Sequence, residues 1–254
     1  MINFIDSHAH LGDDKLFSGF SSVVFRAKKA GVFPIINVCT DALSLLRGRE
    51  IKKKYPEICL AAAIPPHDAD SENTFWPELR KAAENRELAA IGETGLDYCY
   101  HQKSREKQKV LFQKHLALAR EYALPLIFHV REAFGDFFSL LPPPPPQGVF
   151  HCFTGNLQEA QKALELGFYL SFSGILTFPK STALQQVAQK TPLDKILLET
   201  DAPYLAPQSQ RGQANEPAFL IETAQKLAFL KELSLEEVAK TTASNTKKLF
   251  GLPF

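Results

Sequence analysis

The sequence predicts an α/β fold, a single-domain (β/α)8 barrel of the TIM type. Eight short apolar runs alternate with longer amphipathic segments along the 254 residues. Runs such as 59–64 (CLAAAI) and 125–130 (PLIFHV) are nearly continuous in apolar character, which is typical of strands buried on both faces. Eight such strands alternating with helices favour a closed parallel barrel. The first run is not followed by a glycine-rich phosphate loop, which disfavours an open doubly wound sheet.

Changes in residue pattern, together with helix-ending glycines, set the expected bounds of the strands and helices. The strands are predicted at 3–8, 32–39, 58–64, 88–93, 125–130, 148–153, 168–173 and 196–201. The helices between them are predicted at 18–30, 41–54, 74–86, 104–122, 132–140, 156–166 and 181–190. Gly31 and Gly167 each stand between a helical pattern and the next strand, where glycine commonly ends a helix.

The C-terminal part of the chain has the pattern of two closing helices. We expect them at 215–229 and 234–248, the second opening with Ser234 and Glu237 as a capping box. Residues 215–254 would then close the barrel, and 1–254 would form one domain. The five prolines at 142–146 are interpreted as a stiff spacer into the sixth strand, or as a docking site for a proline-binding partner.

Composition sets broad limits on the function. Hydrophobic residues make up 45% of the chain and charged residues 22%, as expected of a globular protein. The net charge of +1 argues neither for nor against nucleic acid. Four cysteines without a Cys-x-x-Cys pair indicate reduced thiols, and no apolar run approaches the roughly 20 residues of a membrane span. We expect a cytoplasmic protein that has neither a membrane contact nor an obligate protein partner.

Six residues that can bind metal fall at the ends of five predicted strands. They are His8, His10, Glu93, His129, His151 and Asp201. His8 and His10 are two residues apart, so on a strand they point to the same side. Because the C-terminal strand ends of a barrel share one rim, all six should converge there. Imidazoles with carboxylates at such a rim predict a two-metal hydrolytic site.

The acidic residues of this set have separable expected roles. Glu93 has two carboxylate oxygens and can bridge two ions, while Asp201 can bind one ion and also act as general base. These two are therefore the predicted catalytic residues.

Asp6, behind the histidine pair, could fix the tautomers of His8 and His10. Glu199 could support a ligand or have a purely structural role. Cys152 follows His151, and strand periodicity predicts that it faces away from the site.

These stretches together resemble the TatD-type metal-dependent deoxyribonucleases of the amidohydrolase-like barrels. The matching segments are FIDSHAHL (4–11), IGETGLDY (91–98), PLIFHVREA (125–133), FHCFTG (150–155), LLETDAPYLAP (197–207) and RGQANEP (211–217). The resemblance implies one ion at His8, His10 and Asp201, a second at His129 and His151, and Glu93 between them. It also implies a distorted barrel and two Mg²⁺, Mn²⁺ or Zn²⁺ ions.

The activity implied by the resemblance is hydrolysis of DNA phosphodiester bonds, typically from strand ends. By similarity, Arg131 and Arg211 would contact phosphate, although Arg211 could instead form an ion pair within its loop. His67 matches the second histidine of a family motif, Gly-x-His-Pro-His, and would contact substrate. Pro65 stands where that motif has its first histidine. One imidazole expected near the substrate is therefore replaced, which bears on substrate preference.

Two other functions are compatible with the sequence. A barrel of this kind could hydrolyse another ester or amide, such as a lactone or the aminoacyl ester of a tRNA. A metal-stabilised barrel could also act as a non-catalytic binding protein. The sequence contains neither an evident aromatic platform for stacking bases nor a basic stripe, so it does not by itself select DNA.

Overall fold

The computed structural model describes residues 3–70, 74–99 and 104–253. Eight parallel strands follow each other in sequence order around one sheet. They are β1 (Phe4–Ala9), β2 (Val32–Cys39), β3 (Cys59–Ala62), β4 (Leu88–Asp97), β5 (Leu126–Arg131), β6 (Gly148–Phe150), β7 (Tyr169–Phe172) and β8 (Ile196–Leu198). The predicted (β/α)8 barrel is confirmed.

The barrel closes just beyond the last strand. Ala9 and Ala202 form a parallel bridge. The Asp201 amide donates to the His8 carbonyl oxygen at 2.9 Å, and the His10 amide donates to the Ala202 carbonyl oxygen at 2.7 Å. The two segments that close the barrel therefore carry three of the six candidate ligands.

Ten α-helices surround the sheet in the described part of the chain. They are α1 (Asp14–Phe17), α2 (Phe20–Lys29), α3 (Ala42–Lys54), α4 (Trp76–Glu84), α5 (Arg105–Tyr122), α6 (Phe134–Ser139), α7 (Leu157–Glu165), α8 (Thr182–Lys190), α9 (Leu220–Lys231) and α10 (Leu235–Phe250). None of them is long and apolar enough to cross a membrane. The one-turn helix α1 was not predicted, because four residues are too few to display a helical period.

Helix starts follow local hydrogen bonding. At α3, Asp41 accepts from the Ser44 amide and the Ser44 hydroxyl accepts from the Asp41 amide. The Ser234 hydroxyl accepts from the Glu237 amide at the start of α10. The helix predicted from residue 215 begins later, because the Asn215 side chain instead donates to the carbonyl oxygens of the loop after β8. Caps of this kind stabilise a helix by roughly 0.5–2 kcal/mol.

An aromatic cluster supports the strands that carry two of the candidate histidines. Phe128 of β5 and Phe150 of β6 are buried, with ring centroids 5.4 Å apart. Phe137 of α6 packs against both at 4.9 and 5.1 Å. Tilted and edge-to-face contacts at these distances stabilise a core beyond simple area burial. The rigid packing fixes the strand ends directly below His129 and His151.

Several strand bounds differ from those predicted. Glu93 was expected to end its strand, but β4 continues to Asp97. Four further residue pairs, from Thr94 and Phe128 to Asp97 and Arg131, extend its ladder with β5. Conversely, β6 ends at Phe150 and β8 at Leu198, so His151 and Asp201 lie in the loops beyond them. Ladder length depends on the neighbouring strand, which a local apolar pattern does not reveal.

The proline segment 142–146 joins α6 to β6 at the N-terminal end of the barrel, opposite the candidate ligands. It lines a cavity of about 620 Å³ together with residues such as Leu88, Pro125 and Phe250. Its position is that of a spacer between a helix and a strand. Docking of a proline-binding partner on this segment stays a prediction.

Candidate metal centre

The six candidate ligands converge at the C-terminal end of the barrel in two groups. One group is His8, His10 and Asp201; the other is Glu93, His129 and His151. Within each group the potential ligand atoms lie within 4.8 Å of one another. All except His10 and His129 are buried, and those two are partly buried.

The first group combines strand periodicity with barrel closure. His8 and His10 point to the same side of β1, with their Nε2 atoms 3.1 Å apart. Asp201 Oδ1 lies 3.6 Å from His8 Nε2 and 3.4 Å from His10 Nε2. Asp201 has φ of +58°, and this left-handed turn follows β8 directly before the bridge to β1. Three potential ligand atoms therefore face a common point.

The second group comes from β4, β5 and the residue after β6. His129 Nδ1 and His151 Nε2 are 2.9 Å apart. Glu93 Oε1 lies 4.0 Å from His129 Nδ1, and Glu93 Oε2 lies 3.3 Å from His151 Nε2. Glu93 Oε2 is also 3.2 Å from His8 Nε2. The Glu93 carboxylate thus stands between the two groups.

The hydrogen-bond partners of the outer ring nitrogens of His10 and His129 determine which nitrogen of each ring presents a lone pair to the centre. His10 Nδ1 lies 3.1 Å from the Val38 carbonyl oxygen, and His129 Nε2 lies 3.1 Å from Asp97 Oδ2. Both partners only accept, so in the neutral rings these outer nitrogens carry the hydrogen. His10 Nε2 and His129 Nδ1 then present lone pairs to the centre, together with carboxylate oxygens. Such a set of acceptors fits divalent cations.

The electrostatics of the centre follow from burial opposed by opposite charges. Burial alone would raise the pKa of the Glu93 and Asp201 carboxyls, but the neighbouring histidines outweigh it and lower both. Burial would lower the pKa of His10 and His151, but the carboxylates raise both, that of His151 to about 9. Burial and the charge of His151 lower the pKa of His8. The two carboxylates are therefore ionised at neutral pH.

Asp6 does not have the role that its position suggested. Its Oδ1 accepts the backbone amides of His8 and Thr200 at 3.2 and 3.0 Å, and its Oδ2 accepts the Thr200 hydroxyl at 2.5 Å. It therefore holds β1 to the loop after β8 rather than fixing an imidazole tautomer. Burial raises the pKa of Asp6 to about 8, against the opposing effect of the Thr200 hydrogen bonds.

Cys152 also differs from expectation. Because β6 ends at Phe150, strand periodicity does not apply to this residue, which has φ of +42°. Its amide donates to Glu199 Oε1 at 2.6 Å, and its sulfur lies 3.2 Å from Ser173 Oγ. Burial and the nearby carboxylates raise the pKa of the Cys152 thiol well above its usual range. The side chain is therefore a protonated thiol and not a nucleophile.

A cleft of about 300 Å³ opens beside the first group and contains His10, Glu93, His67 and Tyr204 among its lining residues. His67 is exposed on a short 3-10 turn, Pro66–Asp68, and Pro65 is buried immediately before it. The turn therefore brings the predicted substrate residue His67 to the cleft. Tyr204 is 45% exposed and was not predicted as part of the site.

The two predicted phosphate-binding arginines lie outside this cleft. Arg131 ends β5, two residues after His129, and its side chain is exposed. Arg211 is exposed in the loop after β8, with its guanidinium 4.8 Å from the centre of the Phe178 ring. Within the described parts of the chain Arg211 forms no ion pair, so the alternative role suggested for it is not observed.

Two further residues of the site were not predicted. Asp97 orients His129, and its signal is spacing: it lies four residues after Glu93, so both side chains point to the same side of β4. Asp13 accepts from the Tyr204 hydroxyl at 2.9 Å. The second contact joins loops 191 positions apart in sequence, and no local pattern indicates it.

A model of the TatD related DNase family matches residues 5–251. The chain belongs to the TatD family. It is 36% identical to the uncharacterized metal-dependent hydrolase YabD of Bacillus subtilis (strain 168), over 97% of this chain and 98% of YabD. It is 35% identical to the 3'-5' ssDNA/RNA exonuclease TatD of Erwinia tasmaniensis, over 91% of this chain and 93% of that protein.

Structural similarity agrees with this assignment. The crystal structure of YjjV, a TatD homologue from Escherichia coli K12, matches with a TM-score of 0.92 and 30% identity, covering 100% of both chains. The family resemblance predicted from the motifs is confirmed. As a TatD-family member the chain is a metal-dependent hydrolase, which sets aside a purely non-catalytic binding role.

Proposed function

We propose that this chain is a two-metal nuclease that removes nucleotides from the ends of DNA strands. The observation that carries the proposal is the position of Glu93, whose Oε2 lies 3.2 Å from His8 Nε2 and 3.3 Å from His151 Nε2. One carboxylate within reach of both ligand groups is suited to a pair of ions. Relatives named as 3'-5' ssDNA/RNA exonucleases support nucleic acid as the substrate class.

The proposed ligand sets follow the two groups of side chains. His8, His10 and Asp201 would hold one ion, His129 and His151 the other, and Glu93 would contact both. When bound, such ions lower the pKa of a water molecule and neutralise charge on the attacked phosphate. Either Mg²⁺, Mn²⁺ or Zn²⁺ would serve, and imidazole-rich ligands suit Mn²⁺ and Zn²⁺ on grounds of ligand softness.

Asp201 is the proposed general base. The histidines lower the pKa of its carboxyl despite burial, so it is ionised and ready to accept a proton. Its side chain is not completely sealed from solvent, since the residue is 8% exposed. One carboxylate oxygen can therefore orient the attacking water and take its proton while the other stays directed at the histidines.

Substrate binding is proposed to use groups around the cleft. His67 and Tyr204 line it and can contact the terminal nucleotide. Arg131 and Arg211, both exposed outside it, would contact phosphates further along the strand. Arginine is suited to this task because its fork of donors matches a phosphate group.

A small ester or amide is the second candidate substrate, and one observation favours it. The cleft wall includes Asp13, Asp14 and Asp41, while Arg47 in the same wall is paired with Asp14 at 2.7 Å. Acidic walls repel a polyanion and favour a neutral molecule. A lactone fits this surface best, whereas the aminoacyl ester of a tRNA carries a polyanion and gains no such advantage over DNA.

The deciding experiment uses chelator-stripped enzyme and single-stranded DNA labelled at either end. We expect cleavage only after Mn²⁺, Mg²⁺ or Zn²⁺ is restored, with mononucleotides as the first products and a circular strand left intact. Asp201→Asn prepared in parallel controls for a contaminating nuclease. Metal-dependent turnover of small esters without cleavage of either DNA end would replace the proposal with the second candidate.

A further inference from the structure

We propose that Glu199 is a shared positioning residue, whose carboxylate accepts Nδ1–H from both His8 and His151. The inference rests on the proposed two-ion site, because these histidines belong to different proposed ions. One buried carboxylate would then fix the tautomer of one ligand in each ligand set.

The first observation is the parallel arrangement of the two rings. His8 and His151 stack with centroids 4.1 Å apart and planes inclined by 16°. Their Nε2 atoms both face Glu93 Oε2, at 3.2 and 3.3 Å. For Nε2 to bind a cation, its lone pair must be free, so the hydrogen of each neutral ring must be on Nδ1.

The second observation is a set of three unpartnered polar atoms. Among the described residues, the buried side-chain atoms without a hydrogen-bond partner are His8 Nδ1, His151 Nδ1 and Glu199 Oε2. The same three residues offer ligand atoms within 4.8 Å of one another, and Glu199 Oε1 lies 3.5 Å from His151 Nδ1. Two potential donors and one potential acceptor, all buried, thus belong to three residues grouped at one place.

Other acceptors near these rings are already engaged. Asp6 accepts from the His8 and Thr200 amides and from the Thr200 hydroxyl. His10 and His129 have their own outer partners, the Val38 carbonyl oxygen and Asp97. Among the described residues, Glu199 Oε2 is the buried side-chain oxygen that still lacks a hydrogen-bond partner.

The two oxygens of Glu199 divide naturally between the rings. Oε1 is held by the Cys152 amide at 2.6 Å and lies on the side of His151. Oε2 remains for His8. A third cation at this position is disfavoured, because His8 and His151 would each have to lose both ring protons to bind cations at both nitrogens. Protons on both Nδ1 atoms satisfy the group without that cost.

Ion binding discriminates this role from simple structural support. We would titrate Co²⁺ into chelator-stripped protein and follow two binding events by calorimetry and visible absorption. Asp97→Asn is the matched control: it can keep its oxygen for the Cys99 amide and turn its N–H₂ group towards His129, so it should weaken one event by 10–100-fold. That event is thereby assigned to the His129 and His151 ion.

Two Glu199 variants then separate the two oxygens. Glu199→Leu removes both acceptors and should weaken both events by 10–100-fold. Glu199→Gln keeps an oxygen for Cys152 and His151 but turns an N–H₂ group towards His8. Glu199→Gln should therefore restore the affinity of the binding event assigned to the His129 and His151 ion and leave the other binding event weak. Both dissociation constants within twofold of wild type in Glu199→Leu, or a change in one event only, would overturn the proposal.

A measurement on the unmodified protein covers the case in which Glu199→Leu does not fold. Nitrogen-15 NMR of the Zn²⁺-loaded wild type should show the hydrogen on Nδ1 for both His8 and His151, and an Nε2–H form of either would refute the inference. Neither the metal titrations nor the NMR measurement uses DNA. If two ions bind as expected and DNA is not cleaved, the proposed substrate is wrong and the role of Glu199 stands.

Discussion

The Tyr204 hydroxyl donates to Asp13 Oδ2 across 2.9 Å and joins the loops after β8 and β1 at the mouth of the cleft. The bond holds an exposed ring 5.9 Å from His10, measured between ring centroids. The structure therefore supplies an aromatic surface next to a proposed metal ligand, although no stacking platform was evident from sequence. Its chemistry suits a nucleobase.

Substitution of Tyr204 tests this surface. Stacking on an aromatic ring contributes about 1–3 kcal/mol per base, so Tyr204→Leu should raise KM for single-stranded DNA by roughly tenfold with little change in kcat. Tyr204→Phe keeps the ring but loses the bond to Asp13, so it should raise KM by less than Tyr204→Leu does. Steady-state kinetics on a short oligonucleotide measures both. Equal values for Phe and Leu variants would show that the ring does not bind a base.

Asp201→Asn tests the proposed general base. The substitution keeps the side-chain volume and the backbone bond to His8, so the fold should persist, while hydrolysis should fall by about 10²–10⁴-fold. Single-turnover rates with saturating metal measure the loss, and circular dichroism checks the fold. Asp194→Asn, at an exposed acid remote from the centre, controls for the chemical change. Full activity in Asp201→Asn would remove this residue from the mechanism.

The number of ions tests the bridging role of Glu93. We expect about two equivalents of Mn²⁺ or Zn²⁺ per wild-type chain by elemental analysis after dialysis, as required by a shared carboxylate. Glu93→Ala should retain no more than one tightly bound ion and lose activity. A single tightly bound ion in saturated wild type would argue against Glu93 as a bridge.

Buried His115 should make stability depend on pH. Burial, with a contribution from Lys114, lowers the pKa of His115 from 6.5 to about 3. The unfolded chain then binds more protons than the folded chain between these values, so stability should fall as the pH is lowered from about 6.5 towards 3. With about 1.4 kcal/mol per pKa unit, the effect between pH 7 and 5 is on the order of 2 kcal/mol.

His115→Gln isolates that contribution. The variant lacks the titrating ring, so its free energy of unfolding should decrease less than that of wild type when the pH falls from 7 to 5. Urea denaturation measures the free energy of unfolding of both proteins. A chelator is present so that bound metal does not contribute to their stability. Parallel pH dependences would show that His115 does not titrate on unfolding.

Gly95→Ala tests the close approach of β4 and β5. Gly95 has φ of +145°, and a Cβ atom there would lie 2.2 Å from the His129 carbonyl oxygen. The backbone of a proposed ligand would have to move, so we expect a loss of stability of at least about 1–3 kcal/mol. Gly135→Ala is the matched control, because its Cβ meets no atom within 4 Å. Thermal unfolding compares the two, and equal melting temperatures would contradict the prediction.

The sequence specified the barrel and the six converging ligands better than the details that orient them. The placement of His8 and His10 on one face needs only the period of a strand, so it was predictable. The extension of β4 to Asp97 depends on pairing with β5, and the role of Asp6 depends on Thr200, almost 200 positions away. Such relationships arise from tertiary pairing and leave no local pattern.

The closure of the barrel has a consequence for a growing polypeptide. His8 and His10 are synthesised before Asp201, which joins them only after β8 has been added and Ala202 has met Ala9. An unfinished chain therefore carries five of the six proposed ligands and lacks the proposed base. Completion of the proposed metal centre, and with it metal-dependent hydrolysis, therefore waits for closure of the barrel.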